Sequence, residues 1–301
     1  MEPVENTDSM MIPEPILSRL QAIGIHSAID ALHAPFDTIT QAGLAHDELV
    51  SLQSFFLQVG AARRLVEARN EIHRSETVGT GCQSLDALLR GGAHTGMVTD
   101  FFGRSGSGKT QICFQLAINA SKNGSNVVFI DSTGTFRPER LTELCERRGL
   151  DPDSVLSSIY VARPHSVADQ MRMVREFEEV FGLRSASLLA LDSLTENFIS
   201  EYEGEKGLIG RQTKLAQHLH DLAGLALRAQ LPVVVTNTVR TRVTASGLQA
   251  EVESGGNIVA QGLHLRIHLK RGGQEWTANI IQPQVKDSYA RFRIAPEGIV
   301  C

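Results

Sequence analysis

Long hydrophobic runs are missing from this chain. Its longest apolar stretches, such as 188–191 and 233–235, are strand-sized, whereas a bilayer-spanning helix needs about 20 apolar residues. No membrane span is therefore expected. The amino-terminal "MEPVENTDSMMIPEP" lacks a basic segment followed by an apolar stretch, so no signal peptide is read. Cysteine is scarce. Cys82, Cys113, Cys145 and Cys301 lie far apart with no paired spacing, which argues against both a zinc site and a disulfide framework. The expected compartment is a reducing one, cytoplasmic or, in a eukaryote, nuclear. An excess of basic charge is absent too. The net charge is −5, and residues 1–50 hold eight acids against Arg19 alone, leaving a weakly basic remainder. Such a distribution does not suggest broad nucleic-acid coating, and any polyanion contact has to be local. No internal repeat or low-complexity stretch stands out.

What is present fits a globular protein. With 301 residues, 42% hydrophobic and 21% charged, the chain has room for one large domain and a small one. Residues 1–12 read as a disordered tail and 13–70 as a small helical domain of about five short helices. In the latter Ile16, Leu20 and Ile23, then Ile29 and Leu32, then Leu49, Leu52, Phe56 and Val59 recur at helical spacing. "VEARNEIHRSE" is a charged connector. From residue 71 to 301 the pattern is that of a second domain. Strand-like "GMVTDFF", "NVVFID", "SIYVA", "SLLALD" and "PVVVTN" alternate with helices starting near Lys109, Pro138, Ser166 and Leu208. That alternation predicts an α/β fold with a mostly parallel sheet covered on both faces. Ser166 and Asp169 form a capping box before one helix, "VADQMRMVREFEEVF". After Asn257, "LHLRIHL", "EWTANII" and "YARFRI" predict an antiparallel C-terminal extension on one side of the sheet.

"GRSGSGKT", comprising Gly103, Arg104, Ser105, Gly106, Ser107, Gly108, Lys109 and Thr110, is a complete phosphate-loop pattern between a strand and a helix. Its glycines let backbone N–H groups close around phosphate oxygens at a helix N-terminus. Lys109 is expected to reach the β- and γ-phosphates and Thr110 to bind Mg²⁺. A second metal acid is expected at the end of another buried strand, and "SLLALD" supplies Asp192. The competing role for Asp192 is a helix N-cap.

These segments carry a resemblance. "TVGTGCQSLDALLRGGAHTGMVTDFFGRSGSGKTQICFQLA", "STGTFRPERL", "LDSLTENFISEYEG", "RQTKLAQHL", "VVVTNT" and "GGNIVA" occur in the order and at close to the spacing of the RadA-type recombinases, the archaeal and eukaryotic RecA-class family. "LSRLQAIGIHSAIDALHAPFDTITQAGL" resembles the helix-hairpin-helix-like N-terminal domain of that family. The resemblance implies a RecA-type ATP-binding core, with ATP and Mg²⁺ as cofactors, that assembles head to tail on single-stranded DNA. It implies that Gln111 belongs to the nucleotide site and that Arg140 stacks on adenine. It also places a first DNA loop around 196–210, with Tyr202, Lys206 and Arg211, and a second around 239–256, with Arg240 and Arg242.

The chain departs from the family pattern at four points. Thr133 replaces the glutamate that polarises the attacking water, and a threonine hydroxyl accepts no proton at neutral pH; the alternative is that Asp131, Glu139 or Glu201 acts in its place. Thr238 replaces the glutamine that senses the γ-phosphate. Glu205 replaces an arginine that faces DNA. The connector lacks the Phe-x-x-Ala plug by which members dock onto neighbours, which limits self-assembly.

Other features have plainer readings. Arg240 and Arg242 are equally DNA contacts or loop charges balanced by Glu251 and Glu253. Their loop holds no aromatic to stack on bases, and Ala245, Ser246 and Gly247 suggest disorder without a partner. His264, Arg266 and His268 read as one face of a half-exposed strand rather than a metal site. The sequence as a whole points to an ATP-binding recombination and repair protein. Its expected role is that of an accessory paralog which modulates a RadA-type recombinase or another paralog on single-stranded DNA, with slow or absent hydrolysis. The rival readings are an active DNA-dependent ATPase and strand-exchange enzyme with a relocated base, and a nucleotide-gated adaptor that does not bind DNA.

Overall fold

The computed structural model describes residues 14–25, 39, 41–45, 47–49, 51–52, 76–182, 186–202, 204, 207–243, 249–283 and 288–301. The chain divides into two compact units, Met1–Arg74 and Ser75–Cys301. In the first, α1 (Glu14–Gln21) places Ile16 and Leu20 four residues apart on one face, packed with Ile25, Ile39 and Leu52. Gly24, at φ +85°, turns the chain so that the Ile25 N–H returns to the Leu20 carbonyl. Arg19 donates to the Gly43 carbonyl and pairs with Glu48 at 2.7 Å, so that cation is engaged within the unit. The expected tail, most of the other expected helices and the connector lie outside the described residues.

The second unit is built on a ten-stranded sheet. Its parallel part consists of β3 (Val98–Gly103), β4 (Asn126–Asp131), β5 (Ile159–Ala162), β6 (Ala186–Asp192), β7 (Val233–Val243) and β9 (Leu265–Gly272), in the spatial order β9-β3-β7-β6-β4-β5. Antiparallel β10 (Glu275–Gln282), β11 (Tyr289–Ala295) and β12 (Gly298–Val300) extend it beyond β9, and β8 (Gln249–Glu253) pairs with β7. β1 (Thr77–Val78) and β2 (Ala93–His94) form a separate ladder. The expected α/β architecture with an antiparallel extension is the one observed.

Strand alternation decides which core each residue joins. Val127 and Phe129 with Leu188 and Ala190 face α3 (Lys109–Ala120), while Val128 and Ile130 with Leu189 and Leu191 face the opposite layer. α3 is buried on most of its circumference, with the run from Ile112 to Ile118 enclosed between the sheet and its neighbours. The opposite layer rests on α9 (Leu208–Ala229), whose Leu215, Leu219, Leu222 and Ala226 recur at helical spacing.

Several boundaries differ from expectation. The predicted helix after Ser166 is two, α6 (Val167–Arg175) and α7 (Phe177–Phe181). The Ser166 N-cap forms, with the Asp169 N–H donating to Ser166 Oγ at 3.0 Å. The reciprocal half of the expected capping box does not, because the Asp169 carboxylate accepts from the His165 N–H instead. Short helices α2 (Gln83–Leu88), α5 (Pro152–Ser157), α8 (Glu196–Glu201) and α10 (Asn257–Gly262), and strand β12, were not expected, and α8 occupies the start of the stretch expected to be the first DNA loop; α4 (Pro138–Arg147) is the helix expected near Pro138. The cysteine reading is corrected as well. Cys82 and Cys301 form a disulfide with Cα atoms 5.5 Å apart across a separation of 219 residues, a pairing that spacing along the chain cannot show. β12 brings Cys301 to the start of α2, where the Ser84 hydroxyl donates to the Arg291 carbonyl at 2.6 Å. Cys113 and Cys145 are buried and free. No described helix is long and apolar enough to cross a membrane.

Gln115, buried in the middle of α3, holds both ends of this unit. Its amide N–H groups donate to the Thr80 and Ile299 carbonyls at 2.5 and 3.1 Å, and its oxygen accepts from the Ile299 N–H at 2.8 Å. Gln115→Ala leaves these buried groups unsatisfied and is expected to lower stability by roughly 1–3 kcal/mol. Chemical denaturation of the full chain measures it; an unchanged midpoint would show that the clamp contributes nothing.

Candidate functional site

The carboxyl ends of β3, β4, β6 and β7 converge, as is usual for ligand sites in open parallel sheets. They deliver Gly103, Asp131, Asp192 and Thr238. From Gly103 the chain bends through Gly106 at φ +75° and Gly108 at φ +92° before α3 begins at Lys109. Both glycines adopt a left-handed conformation that L-residues disfavour, and a side chain at Gly106 would point into open space. The Trp276 indole supports the loop from behind, donating to the Gly106 carbonyl at 3.3 Å.

Lys109 is buried, and its Nζ donates to the Gly103 and Arg104 carbonyls, each at 2.9 Å. An ammonium carries three protons, so one is left for an anion in the loop. Burial pulls the lysine pKa down, and Asp192 and Asp100 push it back up. Thr110 Oγ1 donates to Asp192 Oδ2 at 2.6 Å, and Thr236 donates to Asp192 Oδ1. Burial raises the Asp192 pKa, and the two hydroxyls oppose that rise. The N-cap alternative for Asp192 is excluded, because α8 starts four residues later behind Thr195.

Arg140, on α4, is held at the edges of its plane. Its donors reach Gln111 Oε1 at 3.1 Å, Glu143 at 2.5 Å and the carbonyls of Ala295 and Pro296 at 3.1 and 2.9 Å. Its two broad faces are not used by these bonds, and guanidinium faces stack on aromatic rings.

At the end of β4, Thr133 donates to Asp131 Oδ1 at 3.2 Å, and its hydroxyl lies 2.7 Å from that of Thr135. Asp131 is fully committed: Oδ1 also accepts from the Thr135 N–H, and Oδ2 from the Phe136 N–H and Arg163. Glu201 is engaged too, accepting from the Val167 N–H at the start of α6. Glu139 sits in the first turn of α4, exposed.

Thr238 pairs with Gly103 across β7 and β3, but its hydroxyl lies 3.3 Å from that of Ser254. Asn237, missed in the sequence reading, is the hub there. Fully buried, it accepts from Thr195 at 2.6 Å and the Thr238 N–H, and donates to Glu253 and the Ser254 carbonyl, both at 2.8 Å.

The expected second DNA loop is partly a hairpin: β7 runs to Val243 and β8 returns from Gln249. Ala245, Ser246 and Gly247 lie outside the described residues. Arg240 is exposed and sits opposite Val252, Arg242 opposite Ala250, and Glu251 opposite Thr241. Alternation puts Arg240 and the two acids on different hairpin faces, so the acids do not balance that arginine. Glu253 instead pairs with Arg266, and Glu251 pairs with Arg104 and lies 3.7 Å from His268. This corrects the half-exposed reading of 264–268. Arg266 is buried, His268 stacks on Phe102 at 4.8 Å, and His264 Nδ1 accepts from the Val98 N–H at 3.0 Å. Beneath them Asp100 is wholly buried; burial, then Glu253, raises its pKa well above the ordinary range.

Of the first-loop residues, Lys206 and Glu205 lie outside the described residues. Tyr202 is half-buried and packs toward Gly210, and Arg211 donates to the Tyr202 carbonyl at 3.3 Å. These contacts anchor both residues locally within the expected first-loop region.

Against known families, residues 71–301 match Rad51. The chain belongs to the Rad51 family. The RecA-class resemblance therefore holds, and with it the coarse function of a RecA-like recombination and repair protein. Rad51-family proteins bind ATP with Mg²⁺, and the groups met here suit that pair. A lysine with a proton to spare and a hydroxyl beside a buried carboxylate are donors of the right chemistry for phosphate and for a hard cation.

A second Rad51-core network links the site to α9. Gln170 on α6 accepts from Ser132 Oγ and Asn197 and donates to the Leu194 carbonyl, and its nitrogen lies 3.1 Å from His218 Nε2. His218 is fully buried, and burial lowers its pKa to about 3. The folded protein thus keeps it neutral where the unfolded chain protonates it, so stability falls as pH drops from 6.5 toward 3. At pH 5 the loss from this one group approaches about 2 kcal/mol. His218→Gln should remove that share of the pH dependence in urea unfolding at pH 5 and 7.5; parallel profiles for the two proteins would refute the assignment.

Proposed function

We propose that this Rad51-family chain is an accessory paralog that binds ATP, hydrolyses it slowly or not at all, and modulates the filaments of a RadA-type recombinase or another paralog on single-stranded DNA. One observation carries the reading. The phosphate-binding groups are complete, while the end of β4, where a base is expected, offers the Thr133 hydroxyl and an Asp131 carboxylate already occupied; Glu139, the other acid near it, is exposed on the first turn of α4. Lys109 would hold the β- and γ-phosphates, Thr110 and Asp192 the magnesium ion, and the free faces of Arg140 the adenine. Bound ATP with its magnesium would supply the charge that orders the site.

Water activation needs a base within hydrogen-bond reach. Asp131 spends its oxygens fastening the 132–136 loop, and Glu201 spends one on α6. Both weigh against a relocated base, and with it against the fully active recombinase. Thr238 turns to Ser254, which supports a weakened phosphate sensor.

The partner reading rests on the sheet edge. Among the described strands β5 has β4 alone as its neighbour, and it exposes Tyr160 and Val161, an edge to which another chain can add a strand. The connector carries no Phe-x-x-Ala plug. A chain that receives a neighbour but offers no plug would end a filament rather than extend it. Arg240 and Arg242 on the hairpin, with Tyr202, Lys206 and Arg211 of the first loop, are the candidate DNA contacts.

ATP turnover with and without single-stranded DNA tests the proposal. Wild type should be near silent, and Thr133→Glu should raise turnover by at least about 10²-fold, the lower end of the 10²–10⁴-fold that a positioned base supplies. Brisk, DNA-stimulated turnover by wild type would instead make this a recombinase in its own right. Lys109→Ala should abolish ATP binding in either case.

A further inference from the structure

One of the two hairpin acids contacts the phosphate loop itself. Glu251 and Glu253 are two apart on β8 and therefore share a face. Glu253 is anchored inward to Arg266 and Asn237. Glu251 reaches Arg104, the second residue of the loop, whose carbonyl is one of the two that hold Lys109. Between hairpin and loop lies a cavity of about 520 Å³ lined by Arg104, Ser105, Ser107, Glu251, Leu269, Lys270 and Arg271. Cations outnumber acids in this lining. Ser107 Oγ is buried there without a hydrogen-bond partner among the described residues, a donor suited to an anion.

We propose that Glu251 is an internal anion that competes with a nucleotide's phosphates for Arg104, so that nucleotide binding unclasps the β7–β8 hairpin from the phosphate loop. The proposal rests on the ATP-binding reading above and adds its regulation. Phosphates seated in the loop bring several negative charges beside Arg104. They repel Glu251 and offer the guanidinium a partner of greater negative charge that can take the same two parallel N–H bonds as a carboxylate. Glu253 stays with Arg266, so the hairpin pivots on its root while its outer part is released. Arg240 and Arg242, further out on the same hairpin, become free to move with it. The Thr238 position no longer has the reach to report nucleotide to this hairpin, and the Arg104–Glu251 pair supplies a different connection between the same two elements.

Coupling of this kind is reciprocal: whatever factor the clasp removes from nucleotide affinity, the nucleotide removes from the clasp. Arg104 is largely exposed, so the factor is modest, about threefold to fivefold, and it shrinks at high salt. The test measures ATP affinity and hydrogen exchange of residues 249–253 in full-length wild type, Glu251→Gln, Arg104→Ala and Lys109→Ala. Glu251→Gln should bind ATP about threefold to fivefold more tightly at low salt and exchange faster at 249–253 before ATP is added. Wild type should show that faster exchange on adding ATP, whereas Arg104→Ala should show it throughout and ignore ATP. Equal affinities for wild type and Glu251→Gln, or unchanged wild-type exchange with ATP, would overturn the clasp. If Lys109→Ala still loses binding, the ATP reading survives that result. Failure of both wild type and Glu251→Gln to bind ATP would remove the nucleotide reading and the clasp together.

Discussion

Asp192 sits at the end of β6 almost out of reach of water, and its carboxylate is costly to bury unless donors meet it. Thr110 and Thr236 are those donors. One comes from the first turn of the phosphate-loop helix and the other from the central strand β7, so satisfying the acid aligns three elements at once. Lys109 lies one residue from Thr110, with its ammonium tied to the loop backbone. The positions of the loop, the helix and the strand ends therefore follow from the need to keep one buried carboxylate hydrogen-bonded.

The neighbouring strand end shows the same constraint resolved differently. Asp131 is also buried, but it is satisfied by its own loop: two backbone N–H groups, the Thr133 hydroxyl and Arg163. A carboxylate used this way is a structural fastener. Side by side, β4 and β6 end in Asp131 and Asp192, one closed upon its loop and one shared with the phosphate-loop helix. The contrast is consistent with a site that grips nucleotide more readily than it attacks it.

Much of this was legible in the sequence because its signals are local. The phosphate loop, the strands from Asn126 to Asp131 and from Ala186 to Asp192, and the cap at Ser166 each depend on residues a few positions apart. What escaped depends on distant residues. Cys82 and Cys301 meet only because β12 folds back over α3. Glu251 and Glu253 read as loop charges until the hairpin register turned them toward Arg104 and Arg266. Asn237 and Gln170 carry no motif, and their importance lies in the number of buried partners each satisfies. Helices of six residues, such as α2 and α10, are too short for periodicity to register.

The Gln115 clamp limits how this chain can drift in length. Strand faces alternate with every residue, so a single insertion or deletion between β11 and β12 would turn β12 over. Ile299 would then present the wrong backbone groups to the amide, and Gly298, where any side chain would meet the Gln115 oxygen, would yield its place to a bulkier neighbour. The disturbance would enter α3 six residues from Lys109, from the side opposite the ligand. Homologous chains that keep a working phosphate loop on this pattern should therefore vary in length at surface connections such as 272–275, and hold the spacing from β11 to β12 constant.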